Sequence, residues 1–354
     1  MTSRLIYTMS AMLAVSMMVL AMPTQAAPCM KITLTGTQGG PPVFRGQAGA
    51  GTLVRYGDDT NDCGAVILQF DTGRGTTQQL SKLRVPVGKL HAIFYSHMHS
   101  DHTEGLADMM QLRWHFRSKG PNVDIVCSRP AKSPAGHTMD CRKFAKYIGH
   151  AFIQSGEMAQ RLAENKKRRP GGPSDLLNVM DFEASNEPKV VWTEGDVTVL
   201  AIKSRHVPGH ASYRVNTPAG SVVIGGDAGN DNPKPPRSTS TSAQVEALAK
   251  GADVLVHSTI HPVMGPGKGS GFKAPIFFRQ STAADLGSLA KRAGVKHLML
   301  THLIPPLGAA KQGPFPIPGG PLKEASYKQS ATESGYSGNV IVGSDLVTLR
   351  LPSK

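Results

Sequence analysis

The chain has 354 residues, with 39 Lys and Arg against 25 Asp and Glu and a formal net charge of +14. That length accommodates one large α/β domain with a substantial core, and the basic balance favours anionic partners. Beyond the N-terminus, no apolar run approaches the ~20 residues needed to cross a bilayer, which excludes a helical membrane protein.

Arg4 opens the chain, Ala11 to Met22 is an uncharged, almost wholly apolar run, and Pro23-Thr-Gln-Ala26 ends it. This is the layout of a secretory signal peptide over residues 1–26, cleaved after Ala26. Residues 27–354 are then expected to form a single periplasmic or secreted domain with no membrane attachment. A retained anchor would need a longer run, and lipid attachment at Cys29 would need a small residue where Pro28 stands. The mature part keeps four cysteines, Cys29, Cys63, Cys127 and Cys141, none in CxxC spacing. An even count in an oxidising compartment permits two disulfides, in any of three pairings. Cys127 with Cys141 would close a local loop, and Cys29 with Cys63 would pin the mature N-terminus to the first strands.

Strands are predicted at Ile32–Leu34, Thr52–Arg55 and Ala65–Phe70, between Gly-rich or Asn/Asp turns. A short helix over Thr77–Leu83 precedes a strand at His91–Tyr95. Glu104–Phe116 carries Leu106, Met109, Met110 and Trp114 at helical spacing. A strand at Val123–Val126 and a helix over Ala151–Glu164 follow. The second half is predicted to hold strands at Val190–Trp192, Val197–Ile202, Tyr213–Val215 and Val222–Ile224. It continues with a helix over Val245–Lys250, a strand at Val254–Val256, a helix over Ala283–Arg292 and a strand at Leu298–Leu300. Val340–Val342 and Leu346–Leu351 close the sheet. Two strand-rich blocks, each followed by helices, predict two mixed sheets sandwiched between helical layers, an αββα architecture. Lys166–Pro173, Asn230–Thr241, Pro262–Pro275 and Pro305–Pro321 are rich in breakers and read as loops.

The segment that carries chemistry is Ala92-Ile-Phe-Tyr-Ser-His-Met-His-Ser-Asp-His-Thr-Glu-Gly-Leu106. Residues two apart in an extended stretch face the same way, so His97 and His99 can grip one ion together. The turn into the next helix sends Asp101 and His102 toward a neighbouring position. Imidazole and carboxylate suit zinc, and three protein ligands with an open position make a catalytic rather than a structural site. Further along, Asp227 and His302 each follow an apolar strand, at the same expected edge. Asp71 does too, as a support for a ligand or as a turn residue before Gly73.

The run His97-Met98-His99-Ser100-Asp101-His102 resembles the HxHxDH motif of the metallo-β-lactamase superfamily. Gln69-Phe-Asp-Thr-Gly-Arg-Gly75 is similar to a segment shared by ribonuclease Z and one class of arylsulfatase. Ile224-Gly-Gly-Asp-Ala228 and Leu300-Thr-His-Leu303 resemble the family's later metal motifs. The resemblance implies one ion on His97, His99 and His206 and a second on Asp101, His102 and His302, with Asp227 bridging two zinc ions. Arg205-His-Val-Pro-Gly-His-Ala-Ser-Tyr-Arg214 offers two histidines for the third motif. The spacing from His206 to Tyr213 fits ribonuclease Z-like relatives, whereas Pro208-Gly-His210 fits the thioesterase and lactonase branch. With His206 as the ligand, His210 becomes a catalytic pocket residue.

Two metals sharing a water would supply a nucleophile at neutral pH, with Asp101 orienting it or passing its proton. His210, His257 and His261 are the candidates for protonating a leaving group. The ribonuclease Z pattern places a Glu where Ser258 stands and a catalytic His where Gln280 stands. These two departures and the export signal point to an arylsulfatase-like enzyme cleaving a small anionic sulfate or phosphate ester, with nucleic acid disfavoured. A ribonuclease Z-like phosphodiesterase, a lactonase or a β-lactamase is the alternative, and a metal-binding protein without turnover is the reading from another class. The surface leaves room for a homodimer.

Overall fold

A computed structural model describes residues 26–352. Apart from Ala26, the segment assigned as a signal peptide lies outside the described residues. Among the described residues, no helix is long and apolar enough to cross a membrane.

Two seven-stranded mixed sheets face each other. The first runs Thr348–Leu351, Pro28–Gly36, Gly51–Asp58, Val66–Phe70, Ala92–Phe94, Val123–Ser128, Leu177–Phe182. The second runs Asn339–Val342, His297–Ile304, Val254–Ile260, Gly220–Ile224, Ala211–Thr217, Val197–Lys203, Lys189–Glu194. In each, one half pairs antiparallel and the other parallel.

Alternation along the strands builds the layers. Val66, Leu68 and Phe70 point into the core between the sheets, while Ile67 points to the helices on the outer face. Val222 and Ile224 likewise point inward and Val223 outward. A slip of one residue would exchange these faces, so burial on both sides fixes the register. Phe70 and Phe94 stack with centroids 4.7 Å apart. Tyr213 of the opposite sheet leans on both rings and donates its hydroxyl to the Tyr95 carbonyl at 2.6 Å. That bond ties the two sheets together two residues before His97. The outer layers are the Thr76–Lys82, Leu106–Arg117 and Cys141–Gln154 helices on one side. On the other lie Ala243–Ala249, Ala283–Ala293 and Glu324–Thr332.

The predicted architecture matches, but local details differ. The helix predicted over Ala151–Glu164 is two, Cys141–Gln154 and Glu157–Glu164, broken at Gly156 with φ of +81°. The Leu177–Phe182 edge strand and the Glu324–Thr332 helix were not predicted. Val340–Val342 and Leu346–Leu351 do not close one sheet: the chain crosses over, and its last strand pairs with Pro28–Gly36. Cys29 pairs with Cys63 and Cys127 with Cys141, one of the three pairings left open by the sequence. The Cys127–Cys141 link attaches the start of the split helix to the end of a central strand.

Candidate metal centre

Parallel strands in both sheets deliver their ends to one edge, and the ligand-type side chains sit there. The strand ending at Phe94 runs into Tyr95-Ser96-His97, and a short helix at Ser100–Thr103 turns Asp101 and His102 back over it. Asp227 follows the Gly220–Ile224 strand. His302 was expected just beyond a strand, but lies inside one, His297–Ile304. A register shift opposite Ser258 and Thr259 leaves His302 as the extra, bulged residue, in the left-handed region at φ +46°. A bulge re-aims one side chain without ending the strand, which swings this imidazole to the edge.

Seven residues converge there. His97, His99 and His206 form one group of close donor atoms, and Asp101, His102 and His302 form another. Asp227 faces both: its carboxylate oxygens lie 3.6 Å from His102 Nε2, 3.6 Å from His206 Nε2 and 3.5 Å from His302 Nε2. Ligands about 2.0–2.2 Å from a tetrahedral ion would be separated by roughly 3.4 Å, so these gaps are of ion-ligand size. His102 Nε2 and Asp227 Oδ1 are buried with no hydrogen-bond partner. Unpaired buried polar atoms are costly, and two of them aimed at one another across an ion-sized gap fit a cation.

The surrounding groups prepare the ligands. Asp71 accepts from Ser96 N at 2.8 Å, from Ser96 Oγ at 2.7 Å and from His102 Nδ1 at 2.8 Å. Proton-bearing Nδ1 leaves His102 Nε2 free to ligate, so Asp71 is a support rather than a turn residue. His206 donates Nδ1–H to the Arg279 carbonyl at 3.2 Å, which likewise turns Nε2 inward. Burial is the main cause that pushes His97 well below the ordinary imidazole range and His206 down to about 4, keeping both neutral as ligands must be. Burial opposes the charge on His102 too, but Asp227 and Asp71 outweigh it and raise its proton affinity well above the usual value. Burial would raise the Asp227 carboxyl, yet the facing His302 and His102 hold it well below the carboxylate range.

His210, expected as a pocket residue, does not line the cavity in front of the ligand-type groups. Its Nδ1 pairs with Ser204 Oγ at 2.8 Å, Ser204 Oγ with Ser212 Oγ at 2.7 Å, and Ser212 Oγ donates to the Gly225 carbonyl at 2.7 Å. That chain of donors ends on a carbonyl, so Nδ1 carries the proton and Nε2 accepts the Asp227 amide at 3.1 Å. His210 is therefore a buried prop beneath Asp227, with both nitrogens committed. Gly225 and Gly226 leave room for imidazoles. A Cβ at Gly225 would come within 2.1 Å of His257, and one at Gly226 within 2.9 Å of His210. His257 is fully buried and its Nδ1 faces the Ser258 carbonyl, while His261 caps Pro262–Met264. Neither lines the cavity in front of the ligands.

That cavity, of about 390 Å³, is walled by the loops around 272–280 and 312–315 and by Pro41 and Pro42. Phe272, Ile276, Ile304 and Phe315 make it apolar, and Arg279 and Gln280 make it polar beside the ligands. Gln280 was located by counting back from His302, and its amide lies 3.5 Å from Asp227 Oδ2. Arg279 and the aromatic wall carried no signal in the sequence, because loop spacing does not encode which side chains turn inward. The Lys166–Arg169 run is remote from this cavity. It packs against the far end of the Leu106–Arg117 helix, where Trp114 Nε1 donates to the Arg169 carbonyl at 2.8 Å.

The profile of the beta-lactamase superfamily domain matches residues 67–303. The chain belongs to the metallo-β-lactamase superfamily. Every ligand-type residue named above lies in the matched span, and the chain is a hydrolase of that superfamily. It is 27% identical over 322 residues to ribonuclease Z of Mycobacterium bovis (strain BCG / Pasteur 1173P2), covering 90% of this chain and 96% of that one. Its fold is similar to the metallo-β-lactamase fold protein YhfI from Bacillus subtilis, with TM-score 0.57 and 20% identity over 92% of this chain and 100% of that one. The short form of human tRNase Z superimposes with TM-score 0.57 and 17% identity, over 91% and 100%.

Proposed function

We propose that this chain is a two-zinc phosphodiesterase related to ribonuclease Z, exported after cleavage behind Ala26 and acting on phosphodiesters with good leaving groups. The observation that carries it is the pair of donor groups sharing Asp227, in a chain whose ribonuclease Z relative aligns over nearly its whole length. That likeness weighs against the expectation that sulfate esters come first and nucleic acid is disfavoured.

Zinc, when bound, supplies a Lewis acid and an acidified water. The residues divide the remaining work. His97, His99 and His206 would hold one ion, and Asp101, His102 and His302 the other, with Asp227 between them. Asp71 fixes the His102 ring, and His210 fixes the Asp227 backbone. Asp101 Oδ2 lies 3.1 Å from His302 Nε2 and lines the cavity, where it can orient the attacking water. Among the described residues, no histidine or carboxylate stands on the far wall of the cavity to protonate a departing oxygen. Ser258 is buried, and the Gln280 amide can donate a hydrogen bond but is far too weakly acidic to transfer a proton. Leaving groups that depart as stable anions are therefore favoured. This same gap sustains the arylsulfatase-like reading, since the phenolate of an aryl sulfate also departs without a proton.

The test is a zinc-loaded rate comparison of bis(p-nitrophenyl) phosphate, p-nitrophenyl phosphate, p-nitrophenyl sulfate and precursor tRNA. Fastest turnover of the diester supports the reading. Sulfate turnover without diester turnover would transfer the protein to the arylsulfatase-like branch.

A further inference from the structure

We infer that Arg279 is the residue that selects an anionic substrate, by donating to a non-bridging phosphoryl oxygen beside the metal centre. The inference rests on the phosphodiesterase reading and names what that site recognises.

Arg279 sits where the chain is held from two sides. Its carbonyl accepts from His206 Nδ1, and Gly229 packs against that carbonyl so closely that a Cβ there would lie 2.6 Å away. The backbone is thus anchored to a ligand histidine, and its side chain lines the cavity within a few residues of Asp227 and His99. Among the described residues its guanidinium makes no ion pair and no hydrogen bond, and its Nε is buried without a partner.

Other cationic residues of this protein that approach burial are paired. Arg113 donates to the Val87, Leu90 and Pro121 carbonyls, and Arg214 to those of Leu248 and Lys250. An Arg left unpaired in a half-enclosed apolar cavity costs desolvation that an incoming anion would recover. Its planar fork matches two phosphoryl oxygens at once, which a point charge would not. Phe272 and Phe315, packed edge to face with ring centroids 5.2 Å apart, give the same cavity an apolar wall against which an aromatic ester arm can lie. The cavity therefore combines an anion clamp with an apolar aromatic wall, a combination suited to an aryl or nucleoside phosphodiester. A lactone or β-lactam ring carries no phosphoryl charge for that clamp.

The experiment compares zinc-loaded wild type with Arg279→Gln and Arg279→Lys on bis(p-nitrophenyl) phosphate and on diethyl p-nitrophenyl phosphate, a neutral triester with the same leaving group. Metal content and melting temperature are measured alongside. Loss of a charge-assisted hydrogen bond should lower kcat/KM for the diester about 10- to 100-fold in Arg279→Gln, less in Arg279→Lys. Triester turnover should change less than about threefold, metal content should hold, and added guanidine should restore diester turnover to an Arg279→Ala variant. Equal losses on both esters, or none on either, would overturn the assignment. Inorganic phosphate binding to the zinc-loaded protein decides it independently of turnover: the same Kd in wild type and Arg279→Gln also overturns it. If the wild type cleaves no diester but Arg279→Gln still weakens phosphate binding, the phosphodiesterase reading falls and the anion site stands.

Discussion

The ligand edge and the cavity wall facing it are built on different principles. The edge is supplied by strand ends and one short helix, so each donor is placed by a backbone that burial holds in register. The wall is supplied by the 262–280 and 305–316 segments, whose backbone order comes from turns, a single-turn helix at Ala274–Phe277 and a two-residue hairpin pairing of Lys311–Gln312 with Phe315–Pro316. The edge therefore carries the chemistry common to a superfamily, and the wall carries whatever distinguishes one member. Changes at the edge should abolish function outright, whereas changes at the wall should redirect it.

The sharpest break is Asp227→Ala. Both donor groups face this carboxylate, and its removal leaves His102 and His302 without their main counter-charge. Activity should fall at least about 10³-fold, the scale on which catalytic groups acting as a unit fail together. Zinc content measured by mass spectrometry should drop at both positions. A variant that keeps two ions per chain would disprove the bridge.

His206→Ala and His210→Ala separate a ligand from its prop. Loss of His206 should remove about one zinc per chain. His210→Ala removes the acceptor for the Asp227 amide and the Nδ1 partner of Ser204 but no ligand, so zinc should stay bound with affinity weakened about 10- to 100-fold, as for other outer partners of metal ligands. The reverse order under chelator titration would make His210 the ligand.

The metal-free protein offers a test of burial at the edge. His206 and His257 are both pushed down to about 4, chiefly by burial. Between that value and the ordinary 6.5, the unfolded chain takes up protons that the folded chain refuses. Stability is then present above about pH 6.5 and is lost as pH falls toward 4, by about 1.4 kcal/mol per unit for each such histidine. His102, raised instead, is protonated in both states over that window and adds no slope. The melting temperature of chelated protein should decline from pH 6.5 to 4. A flat profile would mean that these imidazoles are hydrated in solution.

These contrasts also explain what the sequence could reveal. His97, His99, Asp101 and His102 lie within six residues, where strand alternation and one turn suffice to converge them. Asp227 and His302 are also readable, as polar residues at the ends of apolar runs, although the bulge that aims His302 is not. The choice between His206 and His210 needed the Ser204–Ser212–Gly225 hydrogen-bond chain, which joins two strands and has no linear spacing. Alternating Val and Ile runs predicted the sheets well. The split at Gly156 and the Leu177–Phe182 edge strand escaped because they lie in half-exposed segments that bury few side chains.

On the wall, Gln280→His should move function rather than remove it. The amide already faces Asp227, so an imidazole there would stand beside the reacting centre with a proton to give. Turnover of phosphodiesters with alkyl leaving groups should rise, by up to about 10²-fold for a well-placed acid, while aryl substrates change little. A variant equally slow on both would show that the Ser258 position must change as well.

The smallest effect is expected from the Lys166–Arg169 run, although its charge density is the most conspicuous in the sequence. These residues are anchored beyond the C-terminal end of the Leu106–Arg117 helix, with Arg169 donating to Asn122 Oδ1 at 2.8 Å. A helix of 12 residues is roughly 18 Å long, and it starts next to the ligand segment. Exposed charges further apart than a Debye length, about 8 Å at physiological ionic strength, are largely screened. Converting Lys166, Lys167 and Arg168 to Gln should therefore leave KM for a small anionic ester within about twofold, and the salt dependence of KM should survive because Arg279 remains. A large rise in KM for the small diester would mean that the loop folds over the cavity during turnover. An effect confined to precursor tRNA would instead mark this distant face as a contact for long polyanions, extending recognition well beyond the wall that selects the reacting phosphate.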